Sequence, residues 1–362
     1  MKSGRSFVAA IESQTETYFM TGTANNSARN PAFDFTKGVL VLIMVLYHWL
    51  NYFYSTQGDF YKYLRFLTPS FIFITGFLIT HASLQKYSIE NPILSQRLIL
   101  RGLKLIGIFI ALNLGINGLL AGSYQGTMPS THMSIRSALN VYVLGNAFEA
   151  GRKAAAFCIL VPIGYLLLLS AWLLSAKRAH ELVVEITFVL FFLSILALNA
   201  LGIRIANLEL LTIGVLGLLA GCSDIDKIHI LSKSPYVYLL GLAYVFYLLA
   251  ITFWEVFYPL QIIGVCLTLT VIYTFGLRIR EAGKIGNKVI LLGKYSLFGY
   301  IAQVAILQML HRAIHSVNPD GAGMRLFSFV AAFALTVAIV VAIDRCREKV
   351  TAVNWVYTAV FA

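Results

Sequence analysis

The sequence predicts an all-α fold: a polytopic transmembrane helical bundle of about ten spans, with both termini cytoplasmic. Three observations predict it. Of 362 residues, 59% are hydrophobic and only 12% are Asp, Glu, Lys or Arg, about half the charged share of soluble domains. Mean hydropathy is +0.78, which excludes a large soluble enzyme. The apolar residues gather in runs of roughly 20, the length a helix needs to cross a bilayer. The alternating strands of about ten residues that mark an outer-membrane barrel do not occur.

The runs cover residues 38–54, 66–84, 98–120, 154–176, 181–201, 206–222, 235–254, 259–277, 289–311 and 325–343. Charge orients them. With the N-terminus inside, all but eight of the 28 Lys and Arg residues face the cytoplasm. The eight are Lys62, Arg65, Arg136, Arg152, Lys153, Arg204, Arg312 and Arg325. That asymmetry follows the positive-inside rule, and nine spans would blur it. Residues 1–36 then read as a cytoplasmic tail, since residues 1–30 hold no apolar stretch fit for a signal peptide. Residues 37–345 form the membrane domain and 346–362 a second cytoplasmic tail. The longest connection, 121–153, lies outside and is rich in Gly, Ser, Thr and Asn.

The net charge of +12 is topological. No basic stripe interleaved with aromatics points to nucleic acid, so lipid is the expected macroscopic partner. Cys158, Cys222, Cys266 and Cys346 are far apart, without CxxC, so neither a metal site nor a disulfide framework is expected. No Walker loop or dinucleotide GxGxxG is present. The HxxxxD spacing from His315 to Asp320 falls in an outer loop and reads as coincidence.

Four segments place polar groups at membrane depth, where they are costly. In the first span Asp34, Lys37, Gly38 and His48 occur in order. Lys37 and His48 are just over three helical turns apart and share a face, with His48 about 16 Å deeper. A neutral His there can accept a proton or serve as a structural hydrogen-bonding group between helices. Asp34 precedes Lys37 by three positions and suits an ion pair. In the second span, Thr75-Gly76 follows an apolar run from Phe71; close helix packing is the simpler reading. Arg97, Arg101 and Lys104 line one face of the third helix, a cluster fit for coenzyme phosphates or for anionic lipid headgroups. In the ninth span Ser296, Tyr300 and Gln303 form a polar stripe that can line a cavity or join helices.

Taken in order, the four segments resemble the acyltransferase family 3 of membrane O-acyltransferases, which includes glucan succinyltransferases and sugar O-acetyltransferases. Phe33 to Gly38 followed by His48 is similar to its first-helix motif, with Lys37 in place of Arg. Phe71 to Phe77 matches its second, with Thr75 in place of Ser. Arg97 and Arg101 match its Arg-x-x-x-Arg, and Gly293, Ser296 and Tyr300 its ninth-helix pattern, where Gln303 replaces a His.

The resemblance implies a multi-pass enzyme of a bacterial-type inner membrane. It would move an acyl group from acyl-CoA to a hydroxyl of a carbohydrate or other envelope acceptor, with no bound cofactor. His48 would be the general base, with Lys37 and Asp34 beside it in the catalytic set. Arg97, Arg101 and Lys104 would bind the donor, and Thr75, Ser296, Tyr300 and Gln303 would line the substrate pocket. Two alternatives stay open. One is a transporter or flippase, disfavoured by the lack of repeat symmetry and by the few acidic residues in or near the spans, Glu185, Glu209 and Glu255. The other is a membrane N-acetyltransferase acting on amino sugars, a group that shares the Asp-x-x-(Arg/Lys)-Gly opening.

Overall fold

The computed structural model describes residues 30–54, 59–86, 92–120, 139–146, 148–149, 152–153, 156–223, 234, 236–279, 283–315 and 321–361. Most of the N-terminal tail and of the 121–153 connection, and Ser316–Asp320 of the HxxxxD spacing, lie outside them. The described chain is a helical bundle. Its helices are α1 (Pro31–Phe53), α2 (Leu67–Lys86), α3 (Pro92–Leu120), α4 (Leu160–Leu173), α5 (His180–Ala200) and α6 (Ala206–Cys222). They continue as α7 (Tyr236–Phe253), α8 (Tyr258–Ile279), α9 (Gly283–Lys294), α10 (Ser296–His315), α11 (Ala322–Lys349) and α12 (Thr351–Phe361). Short 3-10 turns precede α2 and join α4 to α5. A two-residue antiparallel pair, Phe148–Glu149 with Arg152–Lys153, is the strand structure found among the described residues.

Each of the ten apolar runs is helical, but not all are long. Eight helices are long and apolar enough to cross a membrane by length and composition. The other two are the shorter segments Leu160–Ala176 and Ala206–Cys222. Both are interior: most of α4 and α6 is buried. A helix wrapped by other helices need not match the hydrocarbon thickness by itself, because its ends are satisfied by protein. By contrast α5 and α7 bury little and expose Leu182, Leu190, Leu193, Leu239, Leu242 and Phe246, as lipid-facing helices do.

Glycine sets the closest approach in the centre. A Cβ on Gly76 of α2 would collide with the carbonyl oxygen of Gly214 in α6; one on Gly217 would meet Phe73 O and one on Gly221 would meet Phe77 O. Small residues at this spacing let two backbones touch. Gly76 therefore packs directly on the Gly214 and Leu218 backbone of α6.

Three boundaries differ from expectation. Helix α1 begins at Pro31, before the apolar run, because proline is preset for a first turn and Asp34 there complements the helix dipole. The ninth run is broken at Tyr295, so α9 is a separate helix lying along α1. Residues 351–361, within the expected C-terminal tail, are helical as α12: its Tyr357 ring meets Tyr295 at 5.3 Å and Phe298 at 6.3 Å, and Phe361 meets Phe298 at 5.7 Å.

Candidate active site

Helix α1 is the hub of the bundle, packed against α2, α8, α9, α10 and α11. Its first two turns hold the polar motif. Lys37 Nζ lies 2.7 Å from Asp34 Oδ1, with side chains 17% and 5% exposed. The pair is shielded, so each charge keeps the other tolerable at low dielectric. Gly38, next in the motif, faces Val289 of α9, and Gly293 of α9 faces Asp34 and Gly38; a Cβ at either would strike backbone. The motif thus builds an ion pair on one side of α1 and a helix contact on another. Eleven positions of continuous helix keep Lys37 about 16 Å from His48 along the axis. Lys37 is engaged with Asp34 at the start of α1, and His48 lies deeper on the same helix.

The neighbourhood of His48 is aromatic. Its ring lies 5.2 Å from Tyr47, edge-on, and 6.2 Å from Tyr300 of α10. Tyr47 in turn meets Tyr61 at 5.4 Å. Tyr300 packs against three hydrophobic clusters, one centred on α2, α3, α4 and α6, one on α1, α2 and α8, and one on α3 and α4. It is the point where the bundle's layers converge on His48. On its other side Phe157 stands perpendicular at 5.7 Å. Phe157 is buried and has φ +59°, a conformation that bulky L residues rarely hold and that costs about 1–3 kcal/mol. Nothing in its sequence context, Ala154-Ala-Ala-Phe157, signals this.

The polar stripe of α10 points inward. Ser296 is half-buried at the helix start, Tyr300 lies one turn on, and Gln303 is fully buried at 0% exposure. Among the described residues neither amide atom of Gln303 meets a hydrogen-bond partner. Each unpaired buried polar group costs roughly 1–3 kcal/mol, an outlay that function can explain. Further out, Trp49 donates to Ser328 Oγ at 2.9 Å, and His311 of α10 meets Tyr52 and Phe53 at 5.7 and 5.5 Å. Neither contact carried a sequence signal.

The remaining expected residues sit elsewhere. The Thr75 hydroxyl donates to Phe71 O at 2.8 Å, within its own helix. Arg97, Arg101 and Lys104 are exposed along one side of α3. Leu98 and Gly102, between them in sequence, are buried, with Gly102 against Gly164 of α4. The cations lie on one face as predicted, but that face is turned away from the packed bundle.

A second polar network joins α9, α11 and the residue before α10. Lys294 Nζ and Tyr295 Oη reach the same Asp344 oxygen at 3.1 and 2.6 Å. Arg347 donates to Tyr295 Oη at 3.2 Å and lies 4.0 Å over the Tyr357 ring. Burial works to lower the Lys294 pKa, but the hydrogen bond to Asp344 and the charges around it outweigh that and hold it above the ordinary value. Burial, then Asp344, raises the Tyr295 pKa.

Residues 29–125 match the family described as heparan-alpha-glucosaminide N-acetyltransferase, catalytic. The matched stretch is a little over a quarter of the chain and spans α1, α2 and α3. It contains Asp34, Lys37, His48, Thr75, Arg97, Arg101 and Lys104. The match is to a membrane acetyltransferase family and not to acyltransferase family 3. It agrees with the broader expectation of a multi-pass membrane acyltransferase. No curated protein and no solved structure matches the chain.

Proposed function

We propose that this protein transfers an acetyl group from acetyl-CoA to the amine of an amino sugar within a bacterial-type inner membrane, with His48 as general base. One observation carries the reading: the acetyltransferase match covers α1 to α3 and so includes His48, which the fold sets against Tyr300. This reading puts an amine ahead of the carbohydrate hydroxyl expected from the sequence, since the matched family acts on a glucosaminide.

The chemistry follows from the residues. A neutral imidazole draws a proton from the acceptor nitrogen as it attacks the thioester carbonyl. The C–N bond forms, the C–S bond breaks, and the coenzyme leaves as a thiolate that takes up a proton. Tyr300 donates to the developing oxyanion. Gln303, able both to donate and to accept, orients the acceptor. Lys37 and Asp34 hold α1 in register rather than touch the reacting atoms. Arg97, Arg101 and Lys104, exposed on α3, suit the coenzyme's phosphates or a lipid's.

The test uses the purified chain in lipid nanodiscs with labelled acetyl-CoA, a glucosaminide and the matching glucoside. Thiol release and product mass are followed together. The expected result is acetylation of the amine, slowed roughly 10²- to 10⁴-fold in His48→Gln with an unchanged melting temperature. Equal rates in the variant would remove His48 from its role. Acylation of the glucoside alone would return the O-acyl reading. Solute uptake without loss of thioester would indicate a transporter.

A further inference from the structure

Where α5 begins and α6 ends, three side chains of mixed chemistry converge. His180 is the first residue of α5 and is 7% exposed. Glu181 follows it, with a side chain 68% exposed. Cys222 is the last residue of α6 and is half-buried. Consecutive residues on a helix point about 100° apart. In this first turn, however, the ligand atoms of His180 and Glu181 both turn toward the Cys222 sulfur. One nitrogen, one sulfur and one carboxylate oxygen lie within 4.8 Å of one another, with His180 Nε2 and Glu181 Oε1 at 4.0 Å.

We propose that His180, Glu181 and Cys222 bind a divalent cation of the zinc class and so tie the start of α5 to the end of α6. In a tetrahedral zinc site, bonds of about 2.0–2.3 Å leave the ligand atoms roughly 3.3–3.8 Å apart. Closing the widest spacing in the present cluster takes at most about 1–1.5 Å between ligand atoms, within the reach of side-chain rotation. The donor set selects the metal. A thiolate with an imidazole is borderline-soft and suits zinc or cobalt, whereas magnesium and calcium require oxygen ligands.

The negative pole at the C-terminal end of α6 and the positive pole at the start of α5 offset each other, so the three side chains themselves decide the site's preference for a cation. Binding displaces the Cys222 thiol proton to solvent, and three protein ligands leave a fourth position for water. The site is independent of the acyltransfer reading, because none of its residues belongs to that machinery.

The experiment uses full-length protein purified without a polyhistidine tag or chelator. Elemental analysis should give about one zinc per chain in the wild type and none in Cys222→Ser. Cys158, Cys266 and Cys346 remain in that variant as internal controls. Cobalt loading of the metal-free protein should produce a thiolate-to-cobalt charge-transfer band that Cys222→Ser lacks. Glu181→Gln, at the surface, should fold normally and weaken zinc affinity by about tenfold or more. A wild type with no more zinc than Cys222→Ser would overturn the proposal. So would a cobalt band that survives in Cys222→Ser, or an affinity unchanged in Glu181→Gln.

Discussion

Replacing Gly38 by alanine tests whether the motif around Asp34 and Lys37 is built for helix contact. A Cβ there would strike the Val289 carbonyl oxygen and would lie 2.9 Å from both Val289 C and Val289 Cγ1. Ordinary contact begins near 3.4 Å, so even the second-nearest atoms are about half an ångström too close. The first obstacle is backbone and cannot rotate away, so α9 must move off α1. Overpacking of this kind costs about 1–3 kcal/mol, and with rigid backbone on both sides the upper end applies. Thermal unfolding in detergent, followed by intrinsic fluorescence, should show a melting temperature lower by on the order of 5–10 °C. The control has the opposite sign. A Cβ on Gly107 of α3 or Gly241 of α7 meets nothing within 4 Å, so alanine at either should be neutral or stabilise by roughly 0.5–1 kcal/mol. If Gly38→Ala melts within roughly 1 °C of the wild type while the controls behave as stated, the steric reading of the motif is wrong.

Gln303→Leu should separate stability from function. Removing two unpaired buried amide atoms should raise stability by about 1–3 kcal/mol, while KM for the acceptor rises. A variant that is both less stable and fully active would contradict that assignment. The Lys294–Asp344 contact predicts a pH effect. A lysine pKa raised in the folded state contributes in full below the unfolded value of 10.5 and loses that contribution as pH climbs through the folded value. Melting temperatures measured from about pH 10 upward to pH 12 should therefore fall more steeply for the wild type than for Lys294→Met. Parallel slopes would mean that the contact does not stabilise the fold.

Membrane residence, helical class and the ten apolar runs were legible from sequence because they depend on composition and run length, which bilayer thickness reads directly. The inward stripe of Ser296, Tyr300 and Gln303 was legible for a similar reason, since helical periodicity places those residues on one face. The likeness to a membrane acyltransferase also lay in the order of local motifs. Tertiary structure alone decided which of these polar residues meet. It set Tyr300 against His48 across 252 positions of chain, a contact that no local pattern encodes. It gave Gly76 its partners in α6 and folded the last residues back as α12 onto Phe298. It also turned Arg97, Arg101 and Lys104 outward. Local periodicity fixes which side of a helix is polar; what that side faces depends on where neighbouring helices can approach, and here glycines at the α1–α9 and α2–α6 contacts let backbones meet.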